Sequence, residues 1–546
     1  MLEIAIIGGG VSGLCLAKAL QQQGRDFALF EARGRLGGRV LTLPFAQIDL
    51  AADLGPTWFW PDSQPLVTHL VEELGLAHFP QHDQGTLLHL RDADQRAERL
   101  DDKSVHLGAR RLVGGMTSLV EALAAALPED KLHLEHVLTE VRDGDDFMTL
   151  VFRRGDHLVE VQAKRVVLSL PPRLIEEKVR FAPDLSDETK AVMRATETWM
   201  AAQAKAALGY DRPVWREEGC SGSAYATHEQ AVLGEIFDAC DAAGAKAALG
   251  GFLALSPELR ESFSVGLPIL LSSQMMQIFG PALGQGELLF QDWATEAFTC
   301  STLDRTSPSA THTDFANPLL RRPLWGGKLY FGGSETAAHG SGYLEGAIES
   351  ARRVGRALLQ EFSRAAPGAN EALQDVPDAA SLNAASLARF REWAAVQTDA
   401  AFDSYRHRLN RGLAAQQKEQ LTQRAVLGAI EEVYSNALNM LEELPFDIQN
   451  VHVEKGRSAL MSDVQSPFRD IMQGLIDNVT EFNATSCALS NFPDEHHLPK
   501  EYMQTIYKDI AAAWQEFSLS ANALLLSKPK NVFHPSAGQG IEASHE

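Results

Sequence analysis

The chain is poor in cysteine, and its cysteines follow no recognisable pattern. The five are Cys15, Cys220, Cys240, Cys300 and Cys487, and no two form a C-x-x-C pair. This spacing excludes a familiar zinc site or disulfide framework and is typical of a reducing compartment. We therefore expect no metal site.

Positive charge and long apolar runs are also scarce. Lysine and arginine total 49 against 72 acidic residues, a formal net charge of -23 at pH 7. Such a chain repels nucleic acid and anionic membranes, and no stretch of about 18 uncharged apolar residues is present to span a bilayer. The strand-like run at residues 4–7 leaves no room for a secretory signal of the usual form. We expect a soluble cytoplasmic protein that does not bind nucleic acid.

The first part of the sequence alternates strand and helix signals. Residues 2–7 and 27–31 read as strands and 14–23 as the helix between them, a β-α-β unit that predicts a parallel sheet. Further strands are expected at 131–141, 150–152, 165–170, 203–208, 288–293 and 328–331, and helices at 63–74, 115–127 and 346–362. The fold class is therefore α/β.

The composition changes after residue 364. Residues 365–379 are rich in Ala, Pro, Gly, Asn and Asp and read as a linker. Apolar residues then recur at steps of three and four, which predicts an all-α helical bundle over 380–528. The tail 529–546 reads as disordered. The bundle lacks a cluster of catalytic residue types, so oligomerisation or binding of a protein partner is its expected role.

A glycine-rich motif follows the first strand. Gly8, Gly10 and Gly13 form G-x-G-x-x-G before a helix, where glycines admit a pyrophosphate to the helix N-terminus. Glu31 closes the second strand, where a carboxylate can accept hydrogen bonds from ribose hydroxyls. These features predict a dinucleotide site but do not by themselves distinguish NAD from FAD.

The residues that follow resemble the flavin amine oxidase family. Residues 31–39 are similar to its E-A-R-x-R-x-G-G-R segment, and 330–336 with 340–348 are similar to its closing flavin motif. Between them, 53–58, 112–116, 169–172 and 211–215 resemble its other landmarks in the same order, over roughly two-thirds of the chain. The resemblance implies a discontinuous, Rossmann-like FAD-binding domain (1–65, 110–180 and 288–364) interleaved with an α+β substrate domain (66–109 and 181–287).

The resemblance also implies which residues bind the cofactor. We expect FAD to contact Gly8, Gly10, Ser12, Gly13, Glu31, Ala32, Arg33, Arg35, Gly38, Arg39, Gly55, Pro56, Thr57, Val137, Gly333, Glu335, Tyr343 and Leu344. Relatives with a covalent flavin carry a cysteine at a set distance from the tryptophan that corresponds to Trp293. Cys300 has the wrong offset, so noncovalent FAD is expected.

Two residues are expected to take part in the reaction. The resemblance implies that a neutral amine passes a hydride to flavin N5 and that O2 then reoxidises the flavin to give H2O2. Lys205 matches the family lysine that holds a water near N5, and Tyr343 matches an aromatic residue that packs against the amine. The second such aromatic is missing from its usual place, and Phe298 is a candidate for it. Trp58, Phe59 and Trp60 stand where amino acid oxidases tend to place an arginine, and they predict an apolar pocket wall.

Two other functions stay open at this point. A related flavoenzyme could act on an L-amino acid or a lipid-like substrate, although Lys205, Tyr343 and residues 211–215 favour an amine. A flavin-binding protein could instead serve mainly through partner binding or assembly by its helical bundle.

Overall fold

The structure, a computed structural model, describes residues 1–100, 104–306, 317–365, 379–414, 420–446 and 451–528, the last range with gaps at 452, 455–456 and 490–491. The chain forms two compact units, Met1–Gly355 and Arg356–Glu546. The expected linker, apart from its end residues 365 and 379, and the expected tail 529–546 lie outside the described residues. Strands and helices are numbered in chain order.

The first unit is built around an eight-stranded sheet. Its strands are β1 Leu2–Ile7, β2 Phe27–Phe30, β9 Leu132–His133, β10 Val137–Asp143, β11 Met148–Arg154, β12 His157–Leu168, β13 Arg180–Ala182 and β19 Leu329–Phe331. The order β19-β12-β1-β2-β9 is parallel throughout. The first half of β12 instead pairs antiparallel with β11, which pairs with β10. Because β1 is covered on both faces, Ile4, Ala5 and Ile6 are fully buried.

A second, seven-stranded sheet has the order β18-β14-β17-β16-β15-β6-β7. Its strands are β6 Thr86–Leu90, β7 Glu98–Leu100, β14 Ala204–Tyr210, β15 Cys220–Ala226, β16 Leu233–Asp238, β17 Ala247–Leu253 and β18 Glu287–Asp292. Two small ribbons, β3 Thr42–Pro44 with β4 Ala51–Asp53 and β5 His78–Pro80 with β8 Arg110–Leu112, complete the strands of this unit.

The helices of this unit follow its strands. They are α1 Val11–Gln22, α2 Pro65–Glu73, α3 Thr117–Ala125, α4 Pro172–Lys178, α5 Asp187–Ala195, α6 Val214–Glu217, α7 Pro257–Ser262, α8 Leu267–Phe279, α9 Thr302–Thr306 and α10 Leu344–Ala365. The boundary between the two units falls inside α10. The expected α/β class with a parallel sheet is confirmed.

Two sequence expectations for the strands were wrong. The strand expected at 131–141 is two strands, because the chain turns at Glu135 (φ 60°) and the amides of Glu135 and His136 donate to the carbonyls of Arg33 and Glu31. Strands β15, β16 and β17 were not expected. Their sequences include C-S-G-S-A-Y-A and A-A-L-G-G-F-L, which have weak strand propensity, and pairing in the sheet overrides that weakness.

The second unit is helical, as the periodicity predicted. Its helices are α11 Ala379–Ala395, α12 Gln397–Ala414, α13 Leu421–Glu443, α14 Met461–Gln465, α15 Phe468–Thr485, α16 Pro493–His497 and α17 Lys500–Ser527, with a short ribbon of β20 Val453–Glu454 and β21 Arg457–Ser458. Phe390, Tyr405, Val426 and Phe468 are among its fully buried side chains. Among the described residues of the whole chain, no helix combines the length and apolar character needed to cross a membrane.

Candidate active site

A cavity of about 400 Å³ lies in the first unit, where β1, β2 and β12 end. Parallel strands share the direction of their carboxyl ends, and ligands of α/β folds bind at that edge. The cavity is lined by every site residue that the sequence predicted except Gly13, Arg35 and Phe59. The fold therefore gathers residues from positions 7 to 347 around one space.

The glycine motif forms a tight strand-to-helix turn. Gly8 has φ +109°, and a Cβ on Gly13 would lie 2.0 Å from the Gly8 carbonyl oxygen. Gly13 thus lies behind the cavity, where it lets α1 approach β1. The Ser12 hydroxyl donates to the carbonyl of Gly332, which joins the first glycine motif to the last one.

Glu31 is buried at the end of β2, with 4% of its surface exposed. One carboxylate oxygen accepts from the amide of Gly9 at 2.7 Å and the other from the amide of Arg33 at 2.9 Å. Because each oxygen has two lone pairs, the carboxylate keeps acceptor capacity for further donors such as hydroxyls.

The three arginines after Glu31 have different surroundings. Arg33 donates to Glu296 at 2.9 Å and to Thr299 at 2.7 Å. Arg35 donates to the carbonyls of Leu36, Gly38 and Val40, so it orders the glycine loop from outside the cavity lining. Arg39 lines the cavity and forms an ion pair with Glu335 (Nη2 to Oε1, 2.6 Å).

Lys205 is the second residue of β14, and 2% of its surface is exposed. This strand pairs with β17 on one side and β18 on the other, so Lys205 does not reach solvent from a sheet edge. Its ammonium donates to the Gly55 carbonyl at 2.9 Å and to the Thr57 hydroxyl. Burial lowers its pKa to about 7, and the side chain therefore titrates near neutral pH.

Aromatic rings surround this lysine. Its Nζ lies 5.1 Å from the ring centroids of Phe237 and Phe252 and 5.7 Å from that of Trp58. Trp58 and Trp60 line the cavity. Phe59, which the sequence placed in the same wall, is fully buried and packs edge-on against His78. Successive residues of an extended chain point to opposite sides, which accounts for the difference.

A tryptophan that the sequence did not single out lies next to Tyr343. The rings of Trp199 and Tyr343 are 5.9 Å apart and inclined by 54°, and both line the cavity. Phe298 also lines the cavity, and its ring lies 5.6 Å from the guanidinium carbon of Arg33. The sequence signal for Trp199 is its position six residues before Lys205. The chain between the two residues makes an irregular turn, with Met200 at φ 60°, so the sequence did not predict that the Trp199 side chain lines the cavity.

Cys300 does not line the cavity. It is buried beside Ala201 and Ala294, and its thiol donates to the Ser301 carbonyl at 3.5 Å. Burial raises its pKa to about 12, so the thiol is protonated and a poor nucleophile.

The cavity fits a flavin dinucleotide. Ser169, at the end of β12, has a buried hydroxyl without a hydrogen-bond partner among the described residues, and it lines the cavity. A Cβ on Gly10 would meet nothing within 4 Å, so the backbone there faces open space at a helix N-terminus, which favours a phosphate. The lining also includes a carboxylate, Glu31, and an aromatic ring, Tyr343. A dinucleotide that carries an aromatic ring system requires such a mixture of polar and aromatic surroundings.

These features define a flavin-dependent oxidoreductase with a Rossmann-like nucleotide site. The family model for flavin-containing amine oxidoreductases matches residues 11–109 and 96–359. The chain therefore belongs to that family of FAD-dependent amine oxidases, and the family resemblance and the FAD cofactor expected from the sequence are confirmed.

Individual relatives and solved structures agree with the family model. Flavin-containing amine oxidase B of Sus scrofa is 23% identical and covers 66% of this chain and 87% of that protein. The structure of putrescine oxidase bound to putrescine has a TM-score of 0.53 at 20% identity, covering 65% of this chain and 98% of that one. Cyclohexylamine oxidase from Brevibacterium oxydans also gives 0.53, at 18% identity, with 66% and 100% coverage. At these identities the two structures support the fold alone.

Proposed function

We propose that the protein oxidatively deaminates a small amine, with Lys205 as its proton-handling residue. In the overall reaction, amine, O2 and water give an aldehyde or ketone, ammonia and H2O2. When bound, FAD supplies the redox step, accepting hydrogen from the carbon that carries the nitrogen and delivering it to O2. The observation that carries the proposal is the buried Lys205, whose Nζ is held by Gly55 and Thr57 at the cavity wall.

The environment of Lys205 suits proton transfer. Its pKa of about 7 gives comparable populations of ammonium and free amine near neutral pH, which is the condition under which a general acid or base is most effective. The carbonyl of Gly55 and the hydroxyl of Thr57 fix the nitrogen. We propose that it also holds a water and passes a proton through it during reoxidation by O2.

Tyr343 and Trp199 are proposed to orient the amine. The faces of aromatic rings attract a cation or the nitrogen of an amine, and their apolar area packs against its carbon chain. The predicted cofactor residues that line the cavity are proposed to bind FAD, with Glu31 at the ribose hydroxyls and the glycine turn at Gly8–Gly10 along the diphosphate, and Trp58 and Phe298 are proposed to belong to the substrate pocket. Since Cys300 lies outside the lining, we propose that FAD is bound noncovalently.

The test is Lys205→Met compared with Lys164→Met, a matched change at an exposed lysine of β12. We expect Lys205→Met to retain FAD and to slow reoxidation of the reduced enzyme by O2 by on the order of a hundredfold, the usual size of a general acid–base contribution. Stopped-flow absorbance at 450 nm measures the rate. An unchanged rate in Lys205→Met would remove Lys205 from the reaction, whereas Lys164→Met should match the wild type.

A further inference from the structure

Aromatic side chains, here called the aromatic wall, line the cavity in two groups: Trp58, Trp60 and Phe252 on the side of Lys205, and Trp199 beside Tyr343. All five line the cavity. Trp58 and Phe252 lie within 5.7 Å of the lysine nitrogen, measured to the ring centroids, and Trp60 is 6.2 Å from Trp58 between centroids. A wall of this kind favours an apolar or aromatic substrate body.

Carboxylates are scarce in the cavity lining and already engaged. Among the described residues, the only acidic side chains in that lining are Glu31 and Glu335. Glu31 accepts from two backbone amides. Glu335 lies against Arg39 and accepts from the Ser334 hydroxyl at 2.9 Å.

Two nearby carboxylates lie outside the lining. Asp53 accepts from the Thr42 hydroxyl at 2.6 Å and from the Met116 amide at 2.8 Å, and burial raises its pKa. Glu235 is two strands away from Lys205, because Phe252 pairs with Lys205 on one side and with Glu235 on the other. The Glu235 carboxylate lies 3.2 Å from His106 Nε2, and His106 stacks on Trp58.

From this distribution of charge we infer that the substrate is a monoamine with an apolar or aromatic body, and that diamines and polyamines are discriminated against. A second ammonium would lie against the aromatic wall without a carboxylate to pair with. Its attraction to an aromatic face offsets only part of the cost of burying an unpaired charge. Discrimination of this kind works by leaving the wrong ligand's polar group unsatisfied. For an amino acid carboxylate, the two guanidinium groups of the lining, Arg33 and Arg39, are already paired with glutamates.

This inference rests on the proposed amine oxidation, and substrates matched in length test the two separately. The flavin-loaded protein would be mixed anaerobically with butylamine or butane-1,4-diamine, with hexylamine or hexane-1,6-diamine, and with 2-phenylethylamine or L-phenylalanine. We expect flavin reduction by each monoamine to exceed that by its counterpart with a second charged group at least a hundredfold in second-order rate constant. A diamine that equals or exceeds its monoamine overturns the inference, whereas the absence of reduction by any amine overturns the proposed function.

Variants at two positions, Glu235 and Trp60, locate the origin of the selectivity. Glu235→Gln should leave the monoamine-to-diamine ratio unchanged, because Glu235 does not line the cavity. A loss confined to diamines would instead make Glu235 an anchor for a second ammonium and overturn the inference. Conversely, Trp60→Glu should raise diamine use relative to monoamine use by about tenfold over Trp60→Gln, since it adds the missing charge. Equal ratios in the two flavin-loaded Trp60 variants contradict the inference.

Discussion

Both units bury charged side chains, but they use them differently. In the first unit, Lys205 is held by neutral oxygens, lines a cavity and titrates near pH 7. In the second, Glu495 is 4% exposed and accepts from the amides of Leu421 and Thr422, both at 2.8 Å, and from the Tyr502 hydroxyl at 3.0 Å. The first two of these bonds satisfy the free amides at the start of α13, where a helix lacks internal partners.

The difference shows that a buried charge does not by itself indicate a reactive site. The contacts of Glu495 tie together three helices, α13, α16 and α17, and account for its burial. Lys205 is not paired with a carboxylate, and the cavity beside it has room for a ligand. Among the described residues of either unit, no group of three metal-binding side chains is found.

The largest expected effect tests the glycine turn that opens the first unit. Gly13→Ala should remove most bound FAD and destabilise the fold by about 1–3 kcal/mol or more, because its Cβ would meet a backbone oxygen at 2.0 Å. Gly355→Ala is the matched control. It is also a helical glycine, but its Cβ would meet Leu16 at 3.6 Å, an ordinary contact. Flavin absorbance per protein and thermal unfolding measure both, and full FAD retention by Gly13→Ala would contradict the expectation.

The next effect tests whether Glu495 is structural. Glu495→Gln replaces one accepting oxygen with a donor that faces an amide, which should lower the free energy of unfolding of the second unit by about 1–3 kcal/mol. Flavin reduction by an amine should stay unchanged, because Leu421, Thr422 and Tyr502, which donate to Glu495, all belong to the second unit. Denaturant unfolding followed by circular dichroism measures the loss. Asp494→Asn, at the exposed neighbouring position, should have little effect, and a loss of catalysis in Glu495→Gln alone would assign this residue a role beyond packing.

A further expectation concerns the pH dependence of stability. The pKa of Lys205 falls from an ordinary 10.5 to about 7 on folding. Between these values the unfolded chain binds a proton that the folded chain does not, so this lysine makes stability fall as the pH falls from about 10 to 7. Lys205→Met lacks the contribution. As the pH falls from about 10 to 7, the free energy of unfolding of the variant should therefore rise relative to that of the wild type, and the difference should level off below pH 7. Urea unfolding at several pH values measures both proteins. An equal pH dependence in the two would show that the lysine stays charged in the folded state.

The smallest effect is expected at Cys300. The thiol of Cys300 is buried away from the cavity lining. Cys300→Ser should therefore leave both the FAD content and the rate of flavin reduction within about twofold of the wild type. Acid precipitation should release the flavin into the supernatant from both proteins. Yellow colour that stays with the wild-type pellet and leaves the variant pellet would identify a covalent link.

The sequence predicted much of the nucleotide site because its motifs are local. The turn at Gly8–Gly13 and the carboxylate of Glu31 depend on residues close together in the chain, and glycine is required there for steric reasons. The helical character of the second unit was also predictable, because apolar residues that recur at steps of three and four lie on one face of a helix. Strands β15 and β17 were not predictable, because small residues form strands there only through their neighbours in the sheet.

The assignment of individual side chains to the site depended on longer-range geometry. Phe59 and Trp58 are adjacent in sequence, yet one is in the core and the other lines the cavity. Trp199 meets Tyr343 across 144 positions of sequence (343 minus 199). The division into FAD-binding and substrate domains and the role of the bundle in assembly stay predictions.

The amino-acid sequence by itself determined the family, the FAD cofactor, the first β-α-β unit and the helical character of the second unit, because these follow from short motifs and local periodicity. Only the tertiary structure decided that Lys205 is buried between two strands with a pKa near 7, that Trp199 faces Tyr343, and that the cavity carboxylates are already bonded. The physical reason is that burial and pairing are properties of surroundings, and those surroundings are assembled from residues far apart in the chain.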